Sequence, residues 1–425
     1  MKLNYKRTIL VGFAFFLISA FWQAYDTIVP LILTNKFNME QTYSGIIMSL
    51  DNIFAVVLLP IFGTLSDKTM TKFGKRTPYI TVGTVLAAFF LILLGFTPKL
   101  VLFILVLLAC LLSMATFRSP AVALMPDVTV KPLRSKGNAI INLMGTAGGM
   151  IVLGLGIVFK TSTAGKTDFS VYLITVSVVM VVALVVFLLT VKEPLWSAEA
   201  EAENEKLDKE KPIKEEVKVV GKLSRSELTS LILILASVAL WYIGYNAITS
   251  KYSVYASEIL KVPYTVTLLV AQGAAIISYI PVGIVASKVG RKKTILAGVL
   301  MLCVAFASAS FIKEGVNPIV MYLLFSLAGI GWATINVNSF PMVVELAKNG
   351  DVGKYTGFYY TASMTAQIVT PILSGFLIDH IGWNIFFPYA AIFVACAFVT
   401  MFFVKHGDSR PEEQSALEAL AGADD

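Results

Sequence analysis

Three ionisable side chains stand where an apolar chain least accommodates them. Asp26, Asp51 and Arg118 all fall inside long hydrophobic runs. An ionised group in hydrocarbon costs about 2.5–3.5 kcal/mol on insertion scales, so each marks a working position. At about 1.5 Å per helical residue, Asp26 lies about 10 Å below the outer end of its run and Asp51 about 12 Å below that of the next. Neighbouring antiparallel helices therefore bring both acids to one level. Two carboxylates sharing a low-dielectric site do not both ionise easily, which is what proton coupling requires. The alternative is that each acid is satisfied separately, by Asn52, Tyr25 or water at a cavity edge. Arg118 lies about 27 Å down its own run, leaving an axial gap of about 15 Å to the acids that argues against a direct ion pair. Asn142 matches its depth better. Arg118 could bind substrate hydroxyls or a carboxylate, close an inner gate, or snorkel toward water. The second half of the chain offers only Glu345, near the end of a run.

Aromatic and amide side chains form the second chemical group. Trp22, Gln23, Tyr25 and Asn52 lie in the first half; Tyr242, Tyr245, Asn246, Gln272, Trp332, Asn336, Asn338, Tyr359, Tyr360 and Gln367 lie in the second. Sugars present apolar ring faces edged by hydroxyls, and aromatic plates with amide and carboxylate acceptors match them. Trp22 and Asp26, at i and i+4, share a helix face. Asn336 and Asn338 do not, so at most one faces a substrate. Helix-packing glue is the competing role for any single member.

These groups must be carried by membrane helices. Of 425 residues, 57% are hydrophobic and 14% charged, far from the balance of a soluble domain. A helix needs about 20 residues to cross the hydrocarbon. Twelve runs qualify, at approximately 8–33, 43–66, 78–97, 100–125, 137–159, 170–191, 228–250, 264–287, 293–312, 318–342, 355–378 and 384–404. The expected fold is an all-α integral membrane protein with twelve transmembrane helices in two pseudo-symmetric six-helix bundles. Its parts are an N-terminal bundle (1–191), a charged cytoplasmic linker (192–227) that is mobile and in part helical, a C-terminal bundle (228–405) and a cytoplasmic tail (406–425).

The chain repeats itself about 220 residues on, the mark of a duplicated half. Gly63-Thr-Leu-Ser-Asp67, followed by Gly74-Lys75-Arg76, recurs as Gly283-Ile-Val-Ala-Ser287, followed by Gly290-Arg291-Lys292. Trp22-Gln-Ala-Tyr25-Asp26 recurs as Trp241-Tyr-Ile-Gly-Tyr245-Asn246. The second copy loses the acid each time, so the first copy has work for it. Parallel repeats of this kind imply a transporter with its substrate site between two bundles. Gly63 permits close helix approach, and Asp67 can accept from a neighbouring helix N-terminus or pair with Arg in the following loop. Such a contact latches one side shut; the competing reading is a basic loop with a solvated acid.

Lys and Arg are concentrated on one side: Lys2, Lys6 and Arg7, Lys68 to Arg76, Lys131 to Lys136, Lys288 to Lys293, Lys348, Lys354, Lys405 and Arg410. The other side holds fewer: Lys36, Lys99, Lys160, Lys166, Lys251, Lys261 and Lys313. This bias places both termini in the cytoplasm and explains the net charge of +7 without nucleic acid. The first run is too long for a cleaved signal. Cys110, Cys303 and Cys396 all lie in apolar runs, as buried thiols rather than disulfides or metal ligands. No cofactor is expected, and no phosphate-binding loop suggests ATP drive.

Twelve spans, a charged central linker and the paired loop motif resemble the major facilitator superfamily over essentially the whole chain. Within it, Gly63–Ile80 (GTLSDKTMTKFGKRTPYI), Pro120-Ala-Val-Ala-Leu-Met-Pro-Asp127 and Arg134-Ser-Lys-Gly-Asn138 resemble the sucrose/proton symporters and the glycoside–pentoside–hexuronide cation symporters. Val122 stands where plant-type sucrose symporters carry Arg, and Ala55 and Leu59 where melibiose-type symporters carry acids. The resemblance implies a cell-membrane protein, acting as a monomer, that imports a sugar or glycoside, a disaccharide above all, by cation symport. Asp26 and Asp51 would couple protons. Trp22, Gln23, Tyr25, Asn52, Arg118, Asn142, Tyr245, Asn246, Trp332, Asn336, Tyr359 and Gln367 would bind substrate. Gly63, Asp67, Gly74, Lys75, Arg76, Asp127, Arg134, Gly283, Gly290, Arg291 and Glu345 would gate. An exporter or antiporter of another small molecule and an uncoupled sugar facilitator are the alternatives. The fifth run lacks the Gly-Pro pair of the superfamily's antiporters, which argues against export. With His380 and His406 the only histidines and no nucleophile–base pair visible, catalysis is not expected.

Overall fold

The computed structural model describes residues 3–210, 224–346 and 352–407. The tail from 408, residues 211–223 of the linker, and Lys2, Lys348 and Arg410 of the charge pattern lie outside the described residues. The chain forms α1 (Tyr5–Leu31, continued by a wider turn to Lys36), α2 (Gln41–Lys68), α3 (Thr77–Phe96), α4 (Leu100–Val128), α5 (Arg134–Val158) and α6 (Ser170–Thr190). It continues with α7 (Glu193–Glu210), α8 (Arg225–Val254, continued by a wider turn to Leu260), α9 (Tyr264–Val289), α10 (Arg291–Ala309), α11 (Pro318–Val344), α12 (Val352–Ile381) and α13 (Phe386–Phe402). Twelve of these are long and apolar enough to cross a membrane; α7 is the exception. In hydrocarbon only a helix satisfies its backbone internally, so long apolar runs take this form. Ends are set by local chemistry. Ser224 and Glu227 form a reciprocal capping box at α8, and Asn317 caps α11 ahead of Pro318.

Since successive spans alternate in direction, we term the end where α1 begins the near end and the opposite one the far end. The duplication is visible in the packing: α3 packs on α4 and α6, and its counterpart α10 packs on α11 and α13. Gly298 backs directly onto Gly331 at the α10–α11 crossing, where absent side chains let the backbones meet.

By contact density the chain divides into two units. The first comprises 1–28, 51–161 and 167–215. The second comprises 29–50, 162–166 and 216–425. The division does not follow the duplication. The far ends of α1 and α2 and the α5–α6 turn belong with the second unit.

The first segment of the linker is helix α7, with Trp196 and Ala200 buried on one face. Arg7 lies 5.2 Å over the Trp196 ring and also pairs with Glu199, while Asn204 Oδ1 accepts from Lys131 N at 2.8 Å. A segment with so few apolar residues reads as solvated, but two well-placed apolar groups suffice to dock it.

Candidate functional site

In the first unit α1 turns Trp22 and Asp26 inward, α2 supplies Asp51 and Asn52, and α4 supplies Arg118. A narrow cavity is lined by Trp22, Asp51, Phe54, Ala55, Leu59, Leu111, Ala115 and Arg118. The Arg118 guanidinium sits 5.3 Å over the Trp22 ring, a cation–π arrangement. Trp22 itself is wedged edge-on between Phe21 and Tyr25, each 5.3 Å away. Asp51 Oδ1 accepts from Asn52 N at 2.5 Å and Asn52 Nδ2 at 2.8 Å. Asp26 lies within electrostatic reach of both Asp51 and Arg118. All three charged residues are half-buried.

Straight-helix arithmetic placed Arg118 too deep to meet the acids. It lines the same cavity as Asp51 instead. The long arginine side chain reaches that cavity without a direct ion pair to Asp51. Asn52 fulfils the capping role considered for it. Tyr25 does not: its side chain is wholly buried and its hydroxyl has no partner within the protein. Asn142 is buried with Nδ2 likewise unpartnered and away from this cavity, and Gln23 also lies off the lining.

The second unit gathers neutral aromatic groups. Tyr245 stacks face to face on Trp332 at 3.7 Å and 5°, and Tyr242 meets the same indole edge-on at 5.2 Å. These three rings and Asn246 are half-buried. Asn246 Nδ2 donates to Tyr242 O at 2.9 Å, on its own helix. Tyr359 is fully buried, held by Ser339 Oγ at 3.0 Å and packed on Phe340 and Tyr360. Asn336 and Asn338 are both buried, and Asn338 Nδ2 donates back to Thr334 O at 2.9 Å. Gln367 is half-buried on α12, outside the ring stack.

At the near end of the first unit, Arg76 is a buried hub. Its Nε donates to Asp127 Oδ2 at 2.8 Å, and its two Nη groups reach Asp67 and Ser66, with Gly63 O at 3.5 Å. Lys75 Nζ joins Asp127 at 3.4 Å. Burial draws the Arg76 pKa down, but bonds to Asp127 and Asp67 outweigh it and hold the guanidinium charged above its ordinary value. Asp67 thus pairs with the loop arginine, not with a helix terminus. Gly63 faces Ser119, whose Oγ a Cβ would meet at 2.8 Å.

Glu193, absent from the residues singled out by sequence, completes this end. Its carboxylate is buried and accepts from Lys75 N (2.7 Å), Arg76 N (2.8 Å), Thr77 N (2.8 Å) and Thr77 Oγ1 (2.7 Å), closing the N-terminus of α3. Gly74, at φ +107°, lies against that carboxylate; the backbone there needs glycine. The only sequence signal was an acid before Pro194 at the first polar residues after α6.

The second copy is plainer. Arg291 pairs with Glu345 at 2.5 Å, Lys292 Nζ donates to Val404 O at 2.6 Å, and Ser287 Oγ bonds Ile284 O on its own helix. Gly283 is buried on α9, and Gly290, at φ +95°, opens α10. Arg134 Nε reaches Thr129 O at 3.3 Å. One cation was misplaced by the sequence reading: Lys251, counted with the loops, is 1% exposed inside α8.

The sequence profile described as Major Facilitator Superfamily matches residues 11–347 and 264–421. An uncharacterized MFS-type transporter of Methanocaldococcus jannaschii is 22% identical over 381 residues, 88% of each chain. The MFS-type transporter ppzB of Metarhizium rileyi is 28% identical over 29% of this chain, and the match spans only 25% of that relative's length. The chloramphenicol resistance protein CraA of Acinetobacter baumannii is 29% identical over 30% of each chain. Among solved structures, a variant of the peptide transporter POT superposes with a TM-score of 0.69 at 13% identity, covering 94% of this chain and 93% of that one. A variant of the nucleoside transporter NupG gives 0.67 at 13%, covering 93% and 99%. At such identity these structures speak for the fold. With the profile spanning nearly the whole length and two of these relatives named as MFS-type transporters, the chain belongs to the Major Facilitator Superfamily.

Proposed function

We propose that this chain is a secondary active symporter that imports a sugar or glycoside, a disaccharide above all, with protons by alternating access. It would sit in the cell membrane as a monomer, with both termini cytoplasmic. The observation that carries the reading is the grouping of Asp26, Asp51 and Arg118 around Trp22 in the first unit. With both acids ionised the trio holds one net negative charge; with one proton added it is neutral. A neutral trio can be enclosed away from water at far lower cost, so closure is tied to proton uptake. The half-exposed Tyr245–Trp332 stack, with Tyr242 and Asn246 beside it, offers the plates and amide that a sugar ring requires. Arg76, Asp67 and Asp127 would act as the latch of the near end. The latch is stronger than its counterpart at Arg291 because it joins two acids.

One observation favours export instead: 30% of the chain is similar to a chloramphenicol resistance protein. Uptake of labelled mono- and disaccharides by proteoliposomes, with and without an inward proton gradient, separates the readings. Gradient-driven accumulation of a disaccharide supports symport. Equilibration without accumulation leaves a facilitator, and proton-driven expulsion of chloramphenicol without sugar uptake replaces the proposal with export.

A further inference from the structure

The second unit contains a polar clasp that neither the repeat nor the intramembrane acids announce. Asp379, near the C-terminal end of α12, caps the N-terminus of α2: its carboxylate accepts from Gln41 N at 2.9 Å, Thr42 N at 2.7 Å and Thr42 Oγ1 at 2.5 Å. Lys251, buried in α8, donates to Gln41 O at 2.8 Å and lies within electrostatic reach of Asp379. Three helices therefore meet at one point, where the exposed carboxylate of Asp379 answers the N-terminus of α2 and the carbonyl of Gln41 answers the buried Lys251 ammonium.

Below the clasp α2 and α12 are in backbone contact. A Cβ at Gly45 would stand 2.0 Å from Pro371 O, and one at Gly375 would stand 2.2 Å from Gln41 O. Ser49 Oγ crosses the same seam to Ile368 O at 2.7 Å. Beside it, Glu258 accepts from Asn35 Nδ2 at 2.8 Å and Gly165 N at 2.9 Å, tying the far ends of α1 and of the α5–α6 turn to α8. Every first-half segment in this list has left the unit its own repeat forms. A charged, capped and glycine-sealed seam between helices of different repeats has to part whenever that end of a transporter opens.

From this we infer that Asp379 and Lys251 are gating residues: with the α2 N-terminus they form the clasp that holds the far end shut, and its rupture precedes opening on that side. The inference rests on alternating access alone, not on sugar or proton as cargo, so its test needs no substrate and stands apart from the uptake assay.

The test labels Ser49→Cys with a membrane-impermeant maleimide from the far side, in a chain with Cys110→Ser, Cys303→Ser and Cys396→Ser. Ser49 is fully buried in the sealed seam, so labelling is slow while the clasp holds. Asp379→Ala and Lys251→Gln are each expected to raise the labelling rate at least about fivefold. A second reporter, Ser177→Cys on α6, buried in the first unit, should stay slow and so exclude general unfolding. Unchanged Ser49→Cys labelling in variants that reach the membrane, or an equal rise at both reporters, overturns the clasp. Should Asp379→Ala not reach the membrane, Thr42→Val decides. It removes one bond at a half-buried residue; a rise of about twofold supports the clasp and no rise overturns it.

Discussion

Glu193 and Gly74 make a sharp test of how α7 is fixed to the rest of the first unit. The Glu193 carboxylate meets three backbone N–H groups and one hydroxyl, all at 2.7–2.8 Å, and is 1% exposed. Glu193→Ala removes all four bonds and leaves buried donors unmet. At about 1–3 kcal/mol for each of the three N–H groups left without a partner, with Thr77 Oγ1 free to turn elsewhere, the cost is about 3–9 kcal/mol. For a body of about 150–250 residues, at about 2–4 °C per kcal/mol, this lowers Tm by about 6–36 °C. Gly74→Ala also destabilises, for two separable reasons. Its φ of +107° suits glycine alone, and the new Cβ would lie 2.3 Å from the Glu193 carboxyl carbon. Only the second reason disappears in a Glu193→Ala background. Thermal unfolding of the purified wild type, both single variants and the double variant closes a mutant cycle. The expected coupling is more than about 1 kcal/mol, with the double variant much less damaged than the sum of the singles. Additivity within about 0.5 kcal/mol would refute the direct contact between loop and linker.

Asp26→Asn keeps hydrogen bonding but cannot carry a proton; one pH unit, worth about 1.4 kcal/mol and tenfold accumulation per proton, should then drive none, while exchange persists. Wild-type accumulation in a proteoliposome flux assay would shift the role to Asp51. Arg118→Lys keeps the charge but not the planar contact with Trp22, so initial transport rates should fall about tenfold or more, close to Arg118→Ala; survival of transport would mean that any cation serves. Asp127→Ala should slow transport more than Asp67→Ala, whose carboxylate is 60% exposed against 20% and so contributes only about 0.2–1 kcal/mol. Ser287→Ala, bonded to its own helix, should be nearly silent; if it proves as harmful as Asp127→Ala in the same assay, the asymmetric latch is wrong.

What the sequence carries is whatever depends on neighbours along the chain. Apolar run length decides the spans, and the recurrence of Gly63–Arg76 at Gly283–Lys292 exposes the duplication. An acid inside an apolar run is conspicuous whatever it touches, so Asp26 and Asp51 are visible as candidates. What escapes depends on tertiary direction. Depth counted along straight helices separates Arg118 from the acids, whereas its side chain lines the Asp51 cavity. The run Ser250-Lys251-Tyr252-Ser253 reads as a polar loop, but the helix continues to Val254 and buries the lysine. Tyr359 has the chemistry of a sugar contact, yet Ser339 and two rings enclose it. Glu193 reaches partners 116 to 118 positions back, which no local pattern encodes.

The far-end clasp also sets a timetable for biogenesis. Gln41 and Asp379 are 338 positions apart, so at about 5–20 residues per second the ribosome needs about 20–70 s between them. Over that interval the start of α2 is exposed without its carboxylate, and Lys251, once made, has no counter-charge until α12 emerges. The Glu193–Thr77 bond closes over 116 positions, about 6–25 s at the same rate. The first unit can therefore be braced by its own linker well before synthesis ends, while the seam that joins α2 to α12 is among the last contacts a nascent chain can make. Truncations ending before Asp379 should be inserted with a well-formed first unit and a far end that degradation machinery can reach, and those ending beyond it should not.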